Sequence, residues 1–457
     1  MQKNRDLFEK TSVPRALATL AIPTIISQLI TMIYNLADTF FIGSTDDPLK
    51  VAASSVAFVL ILALNCLTNL FGIGGGSLIS RLLGEKKDEE AKKVASFSFW
   101  GTVVLSVIYS VACLVFMDPI LRFLGASDAT IGYATSYTMW VVVVGGLPTT
   151  VAVCMSHLLR SEGFARQASF GLGMGGILNV LLDPLFMFVI LEPGNEVEGA
   201  AIATFLSNVA VFVYFIYVFI RLRKRTVLNI SPMHVIPKTK YILEVFAVGF
   251  PSAIGSILAC LVSIMINNLV SGYGDIPVAA VGIAKKIDML PMNVGMGLCQ
   301  GMMPLVAYNY AAKNYKRMKQ FSDCARIAGI SFAVICIVFF EIFAGDIVRI
   351  FINDAKTVEL GTNFLRIMCL AVPFMIINFQ MSFTFQAMGK GKQSLILSAC
   401  RQGIVNIPLM FIMNYIFGLY GIIWTQLISD ALTVVISFVV YHFSYKGLYS
   451  DTQLSVK

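Results

Sequence analysis

The stretch from Ile177 to Phe188 combines an apolar sequence with side chains that could bind a cation. Asn179 and Asp183 stand four residues apart, so a helix presents both on one face. Pro184 removes a backbone donor and should bend the helix at that level. Because a carboxylate at bilayer depth costs roughly 3 kcal/mol, we interpret this stretch as a candidate ion site.

A second carboxylate lies in the first apolar run of the chain. Gln28, Asn35 and Asp38 follow one another at seven- and three-residue spacing, which forms one polar stripe with Tyr34 beside Asp38. Two nearby carboxylates repel each other when both are charged. A dry cavity that contains Asp38 and Asp183 would therefore favour binding of a proton or a small cation, and Na⁺ is the metal ion we consider.

The amides and hydroxyls at similar depth have two interpretations. Thr204 and Asn208 lie in a later apolar run and can approach the two acids. Polar side chains inside a membrane also form hydrogen bonds that simply hold helices together. For the amides alone both interpretations stay open. For the two acids together we predict a cation site.

The second half of the chain carries different charged residues inside its apolar runs. These residues are Lys285, Lys286, Asp288, Glu341 and Asp430. Lys285 and Asp288 are three residues apart, so we expect an ion pair on one helical face rather than a substrate site. The alternative, a contact with substrate, stays open.

A substrate cavity would need polar groups beside flexible apolar side chains. Methionines are frequent between residues 289 and 303, and their thioethers suit varied apolar ligands as well as ordinary packing. The residues that we select for the cavity are Gln28, Tyr34, Lys285, Asp288, Met289, Met292, Gln300 and Asn378.

The composition places these residues in a membrane protein. Of 457 residues, 57% are hydrophobic and 13% are charged, against about 25% charged in soluble domains. The net charge of +8 comes from short basic segments between apolar runs, which does not indicate nucleic-acid binding. The nine cysteines are scattered without a Cys-x-x-Cys motif, so we predict neither a disulfide framework nor a structural metal site.

Apolar runs long enough to span a bilayer predict an all-α protein with twelve transmembrane helices. Their limits are 16–42, 52–80, 94–117, 134–158, 167–191, 199–220, 243–271, 278–309, 322–343, 361–386, 394–417 and 420–443. With the N-terminus in the cytoplasm, 27 of the 34 lysines and arginines, Arg401 among them, fall in inside segments and 5 in outside loops. The positive-inside rule then places both termini in the cytoplasm.

Weak internal symmetry divides the chain into two lobes of six helices. Shifts of 222 to 228 residues pair Pro23 with Pro251, Asn179 with Asn406 and Gly199 with Gly421. Because six is even, the lobes should be related by a pseudo-two-fold axis along the membrane normal. We predict an N-terminal lobe at 1–220, a basic cytoplasmic linker at 221–241, a C-terminal lobe at 242–445 and a cytoplasmic tail at 446–457.

No pattern in the sequence indicates catalysis. We find no nucleophile beside a general base, and the glycines from Gly72 to Gly76 lack the Lys-Ser/Thr of a nucleotide-binding loop. We therefore expect neither an enzyme nor a cofactor. A channel remains an alternative, but two lobes with disturbed helices favour alternating access.

Four motifs carry a resemblance that covers nearly the whole chain. They are Tyr34-Asn-Leu-Ala-Asp38-Thr-Phe-Phe-Ile-Gly43, Leu78-Ile-Ser-Arg-Leu-Leu-Gly-Glu-Lys-Lys87, Leu178-Asn-Val-Leu-Leu-Asp-Pro-Leu185 and Met303-Pro-Leu-Val-Ala-Tyr-Asn-Tyr310. With the two-lobe pattern, the sequence resembles the multidrug and toxic compound extrusion (MATE) family. Details such as Gly297-Leu-Cys-Gln-Gly301 are most similar to its bacterial MepA-like multidrug export branch.

The resemblance implies a monomeric antiporter in the bacterial cytoplasmic membrane. It would export amphipathic and cationic drugs, in a role linked to antibiotic resistance, in exchange for H⁺ or Na⁺. The family's cation site would fall on Asp38, Asn179, Asp183 and Thr204, beside Asn35. The acids that sodium-coupled relatives carry in spans 7 and 10 are absent, with Ser256 and Asn378 nearby. The alternative is a flippase for a lipid-linked saccharide or an amphipathic lipid.

Overall fold

The protein is described by a computed structural model that covers residues 2–45, 47–223, 225–228, 230–231 and 237–454. Its described elements are helices. The α-helices are α1 (Gln2–Glu9), α2 (Val13–Gly43), α3 (Pro48–Gly84), α4 (Asp88–Val115), α5 (Met117–Phe123), α6 (Ile131–Thr138), α7 (Gly146–Ser161), α8 (Ala165–Leu185), α9 (Glu196–Leu222), α10 (Thr239–Ser271), α11 (Asp275–Ala311), α12 (Tyr315–Phe351), α13 (Ala355–Cys369), α14 (Val372–Ala387), α15 (Gly391–Ala399) and α16 (Asn406–Leu454). Three π-helices interrupt them: π1 (Met139–Val144), π2 (Phe186–Ile190) and π3 (Cys400–Ile404).

Many of these helices are long and apolar enough to cross a bilayer. Within the described residues there are eight such helices, or up to ten if two bent pairs each form one span. The pairs are Ile131–Val144 with Gly146–Ser161, bent by 48°, and Ala355–Cys369 with Val372–Ala387, bent by 43°. The predicted all-α membrane protein is confirmed at this level.

Two further features bear on the predicted twelve spans. Helix α11 has 37 residues and carries Lys285, Lys286 and Asp288, and it is not among these eight spans. The stretch Gly391–Ser444 counts as one span, although its backbone leaves helical geometry at Gly418 (φ 59°, ψ −141°). A break there separates two segments that could each cross the bilayer. The number twelve stays a prediction.

The long helices pack into one shared core at one end of the bundle. This core joins residues of both halves of the chain, for example Leu78 and Val151 with Tyr308 and Phe385. We call this end the basic end, because the turns that follow α3 and α11 there carry Lys86, Lys87, Lys313 and neighbouring cations.

The opposite end contains separate cores instead. Two clusters there consist only of residues from positions 42 to 201, and another only of residues from positions 270 to 423. The halves therefore share buried apolar surface at the basic end and keep their own at the other.

Glycines let helices of the two halves approach closely at the basic end. A Cβ atom on Gly249 of α10 would collide with the backbone carbonyl of Leu70 on α3, and one on Gly84 of α3 would collide with that of Tyr308 on α11. Only a residue without a side chain fits such backbone contact.

The predicted linker at 221–241 is only partly described, since residues 224, 229 and 232–236 lie outside the described residues, as do 455–457 of the predicted tail. Val227 and Leu228 pack into the shared core, and the carbonyl of Ile230 accepts a hydrogen bond from Trp100. These linker residues thus lie against the N-terminal half. The division into domains stays a prediction.

Candidate functional site

The centre of the site is a buried hydrogen-bonded pair on α8. Asn179 is 2% exposed and Asp183 is 0% exposed. Helical spacing places them on one face, and the Asn179 amide donates to Asp183 Oδ1 at 3.1 Å. The same amide donates to Thr204 Oγ1 of α9 at 3.1 Å. The structure thus brings together three of the five predicted cation-binding residues by direct contact.

Asp38 of α2 lies near this group. Its charge interacts electrostatically with that of Asp183, and both carboxylates act on the phenol groups of Tyr34 and Tyr137. Helix α8 can approach α2 because Gly176 has no side chain: a Cβ atom there would lie 3.1 Å from the Tyr34 ring. Two acids and two phenols from α2, α6 and α8 therefore surround one volume.

Oxygen atoms in this volume lack hydrogen-bond donors. Asp38 Oδ1, Asn179 Oδ1 and Asp183 Oδ2 are buried and have no partner among the described residues. Buried polar atoms are normally hydrogen-bonded, so several acceptors without a donor call for a specific explanation. Carboxylate and amide oxygens are the donor set that fits a proton or a hard monovalent cation.

Asn35 does not join this buried group. It is exposed on α2, and its backbone carbonyl accepts a hydrogen bond from Thr39 at 2.9 Å. Tyr137, which is 5% exposed, was not among the residues predicted from the sequence. Its spacing carries no signal that separates it from the neighbouring Tyr133, since only helix packing decides which ring faces the acids.

The helix that carries Asp183 changes type immediately after Pro184. Helix α8 ends at Leu185, and Phe186–Ile190 continues as the π-helix π2. Proline removes an i to i−4 hydrogen bond, and π turns occur frequently at functional sites. The disturbance expected from Pro184 therefore takes the form of a π-helix beside the acid.

The residues selected for the substrate cavity lie in several environments. Gln28, Tyr34, Met289 and Met292 are partly buried. Gln300 accepts a hydrogen bond from Arg160 at 3.4 Å and lines a small cavity with it at the interface of the halves.

Asn378 occupies a different place in the C-terminal half. It is 3% exposed, and its amide donates to the backbone carbonyl and Oδ1 of Asp430, at 3.0 and 3.2 Å. Gln300 and Asn378 are therefore not joined by a shared contact in the described structure.

Two predictions for charged residues were wrong. Lys285 does not pair with Asp288 but donates to Asn267 of α10 at 3.2 Å, because a lysine on a helix surface can reach a neighbouring helix as easily as its own next turn. Arg401, which the sequence groups with the cytoplasmic cations, instead lies within the candidate span Gly391–Ser444. It is 8% exposed in π3, and its Nε donates to Asp430 Oδ1 at 2.6 Å.

A known protein family matches the chain twice. The family model described as MatE matches residues 23–185 and again residues 251–412, once in each half of the chain. The chain belongs to the MatE family. The resemblance stated from the sequence is confirmed, and the double match agrees with the internal repeat.

Relatives cover almost the full chain of this MatE protein. The multidrug export protein MepA of Staphylococcus saprophyticus is 32% identical over 435 residues, which are 95% of each chain. MepA of Staphylococcus aureus is 32% identical over 446 residues, 97% of each chain. A solved outward-facing conformation of a multidrug resistance MATE family transporter shares the fold, with a TM-score of 0.92, 23% identity and coverage of 98% of this chain and 99% of its own.

Proposed function

We propose that this MatE protein is a secondary active multidrug exporter rather than an enzyme. It exchanges amphipathic and cationic organic compounds for H⁺ or Na⁺ across the bacterial cytoplasmic membrane. Twelve spans in two pseudo-symmetric lobes, with both termini in the cytoplasm, form the transport path. Support comes from the family, from relatives named multidrug export proteins, and from the distribution of basic residues.

The observation that carries the proposal is the fully buried Asp183, whose Oδ2 lacks a partner among the described residues. A cation or proton that binds Asp183, with Asp38, Asn179 and Thr204 around it, neutralises charge inside the bundle. Neutralisation changes the relative stability of the states in which the site opens to either side. Coupling requires the cation and the drug to prefer different states, since equal affinity would shift nothing.

The distribution of cores supports a movement of the two halves about the basic end. We infer that the basic end faces the cytoplasm and that this conformation opens toward the outside, where the halves keep separate cores. In this state a cation from outside would reach Asp38 and Asp183. Its binding would favour return to an inward-opening state that takes up the next drug.

The decisive experiment is ion-driven transport in proteoliposomes with the Asp183→Asn variant. We expect export of a cationic dye under an imposed proton or sodium gradient to fall at least tenfold, because the amide cannot carry the exchangeable charge. Asp346→Asn is the matched control, since the Asp346 side chain is 76% exposed and pairs with Arg349 at 3.9 Å. Unchanged transport by Asp183→Asn contradicts the proposal.

The same vesicles test the flippase alternative. A fluorescent lipid or lipid-linked saccharide added to one leaflet should stay there if the protein exports drugs alone. Transfer of the lipid that depends on Asp183, without drug transport, would replace the proposed function. Running each gradient separately identifies the coupling ion.

A further inference from the structure

A second buried polar cluster lies in the C-terminal half, centred on Asp430 of α16. Asp430 is 0% exposed, and its carboxylate accepts hydrogen bonds from Arg401 at 2.6 Å, from Gln426 at 2.7 Å and from Asn378 at 3.2 Å. The guanidinium of Arg401 also lies 4.5 Å from the ring centre of Phe379. Asp430 is therefore a fully paired anion.

The cluster occupies the position that the internal repeat assigns to the N-terminal site. A shift of 227 residues pairs Asn179 with Asn406. The shift of 222 residues that pairs Gly199 with Gly421 also pairs Thr204 with Gln426. Asn179 donates to Thr204, and Asn406 donates to Gln426 at 3.3 Å. One hydrogen bond thus recurs between matching segments, which in the C-terminal half lie on either side of the Gly418 break in α16.

The unpartnered oxygens recur as well. Asn406 is 1% exposed, and its Oδ1, like that of Asn179, has no hydrogen-bond partner among the described residues. By the same two shifts, Met410 corresponds to Asp183 of the N-terminal half, and Asp430 corresponds to Asn208. In the C-terminal half the carboxylate therefore lies on the segment after the Gly418 break, and the protein supplies its own cation, Arg401.

A second carboxylate faces this pair from α11. Asp288 interacts electrostatically with both Asp430 and Arg401, and its Oδ1 is buried without a partner among the described residues. The thiols of Cys336 on α12 and Cys369 on α13 face it too. Helix α14 carries no ionisable side chain.

The charges of this cluster do not cancel. Two carboxylates stand against one guanidinium, and Lys285, one turn from Asp288, donates to Asn267 instead. A buried excess charge is expensive, and groups in this situation usually neutralise by taking up a proton. Asp430 already accepts hydrogen bonds from Arg401, Gln426 and Asn378. Asp288 is therefore the acid that can take up this proton.

We propose that Asp288 is a second proton-binding site, in which Arg401 permanently neutralises Asp430 and a proton from water neutralises Asp288. The O–H bond forms at the Asp288 carboxylate, and hydronium gives up the proton as water. The Asp288 residue is partly exposed although its Oδ1 is buried, so a proton can reach the carboxylate from outside the cluster. The inference rests on the proposed export function only for its role in coupling, since proton binding itself needs no transport.

Infrared difference spectroscopy of the purified protein tests the binding directly. In a pH titration we expect Asp288→Asn to lose one carbonyl-stretch signal of a protonated carboxylic acid that Asp183→Asn retains. Asp275→Asn, an exposed acid at the start of the same helix, should lose none. Asp288→Glu should keep the signal at a shifted pH, which separates loss of the proton from loss of the fold. A spectrum of Asp288→Asn identical to that of the unchanged protein overturns the proposal.

Proton counting in proteoliposomes tests the role in coupling. We expect Asp288→Asn to move about one proton fewer per drug molecule, and Asp288→Glu to restore the ratio. An unchanged ratio overturns the coupling role. Absence of drug transport by the unaltered protein contradicts the proposed export function, while the infrared result still decides whether Asp288 binds a proton.

Discussion

Arg81 of α3 donates a hydrogen bond to Glu244 of α10 at 2.9 Å and so forms an ion pair between the two halves of the chain. Both side chains are largely buried, 13% and 27% exposed. Arg81 also lies against Gly389, where a Cβ atom would meet the guanidinium. This pair therefore joins the two halves at the basic end, and the inward opening of the proposed transport cycle must break it.

Charge reversal at this pair should favour the state that is open at the basic end. We expect Arg81→Glu and Glu244→Arg each to reduce transport, and the double variant to recover much of it, with a coupling energy of about 0.5–3 kcal/mol. Distances between spin labels at Glu85 and Lys313 report the opening. Reversing Arg122 and Asp118, an exposed pair within α5, is the control. No recovery in the double variant would show that the pair does not act as a gate.

A methyl group at Gly249 should act on the same closure by a different route. Gly249→Ala places a Cβ atom against the Leu70 carbonyl, so α3 and α10 must separate. Overpacking of this kind costs about 1–3 kcal/mol, which corresponds to a shift of about 5- to 150-fold between conformations. The spin-label distances should lengthen at the basic end. Gly132→Ala has open space around it and should leave them unchanged.

Glu162 makes the stability of the basic end depend on pH. It follows α7, is 5% exposed, and accepts hydrogen bonds from Thr226 and from the backbone of Val227 at 2.5 and 2.9 Å. Burial raises the pKa of Glu162 from 4.5 to about 7, although these hydrogen bonds act in the opposite direction. The folded protein binds this proton more tightly than the unfolded chain does. Protonation of Glu162 therefore stabilises the folded state fully below pH 4.5, and this contribution is lost as the pH rises through 7.

Glu162→Gln should therefore stabilise the protein above pH 7 by up to about 3 kcal/mol and have little effect below pH 4.5. Thermal unfolding in detergent, followed across this range, measures the difference. Glu89→Gln replaces an acid at the same end whose side chain is 74% exposed, and should give no such trend. A constant difference between Glu162→Gln and the unchanged protein across the pH range would contradict the assignment.

Most residues of the proposed cation site can be identified from the sequence alone. Asp38 and Asp183 stand out because charges are costly in a membrane and therefore rare there. Helical spacing then places Asn179 on the face of Asp183 without further information. Neither argument needs knowledge of which helices touch.

The C-terminal cluster cannot be identified in the same way. Lys285 and Asp288 have the spacing of an ion pair, yet Lys285 binds Asn267 on another helix. Arg401 follows Lys390 and Lys392 closely along the chain, so the sequence groups it with the cytoplasmic cations. A long charged side chain can reach groups on several helices, whereas sequence spacing describes only the groups on its own helix.

The sequence by itself determined that this is an all-α membrane protein of the MatE family with a repeated architecture and two costly acids in its N-terminal half. These properties depend on composition and on local helical periodicity. Only the tertiary structure decided that Tyr137 joins those acids, that Arg401 neutralises Asp430, and that the halves share a core at one end alone. These properties depend on how the helices pack. The π-helices also break the regular helical spacing on which sequence reasoning relies, because they rotate the residues that follow Met139, Phe186 and Cys400 onto new faces.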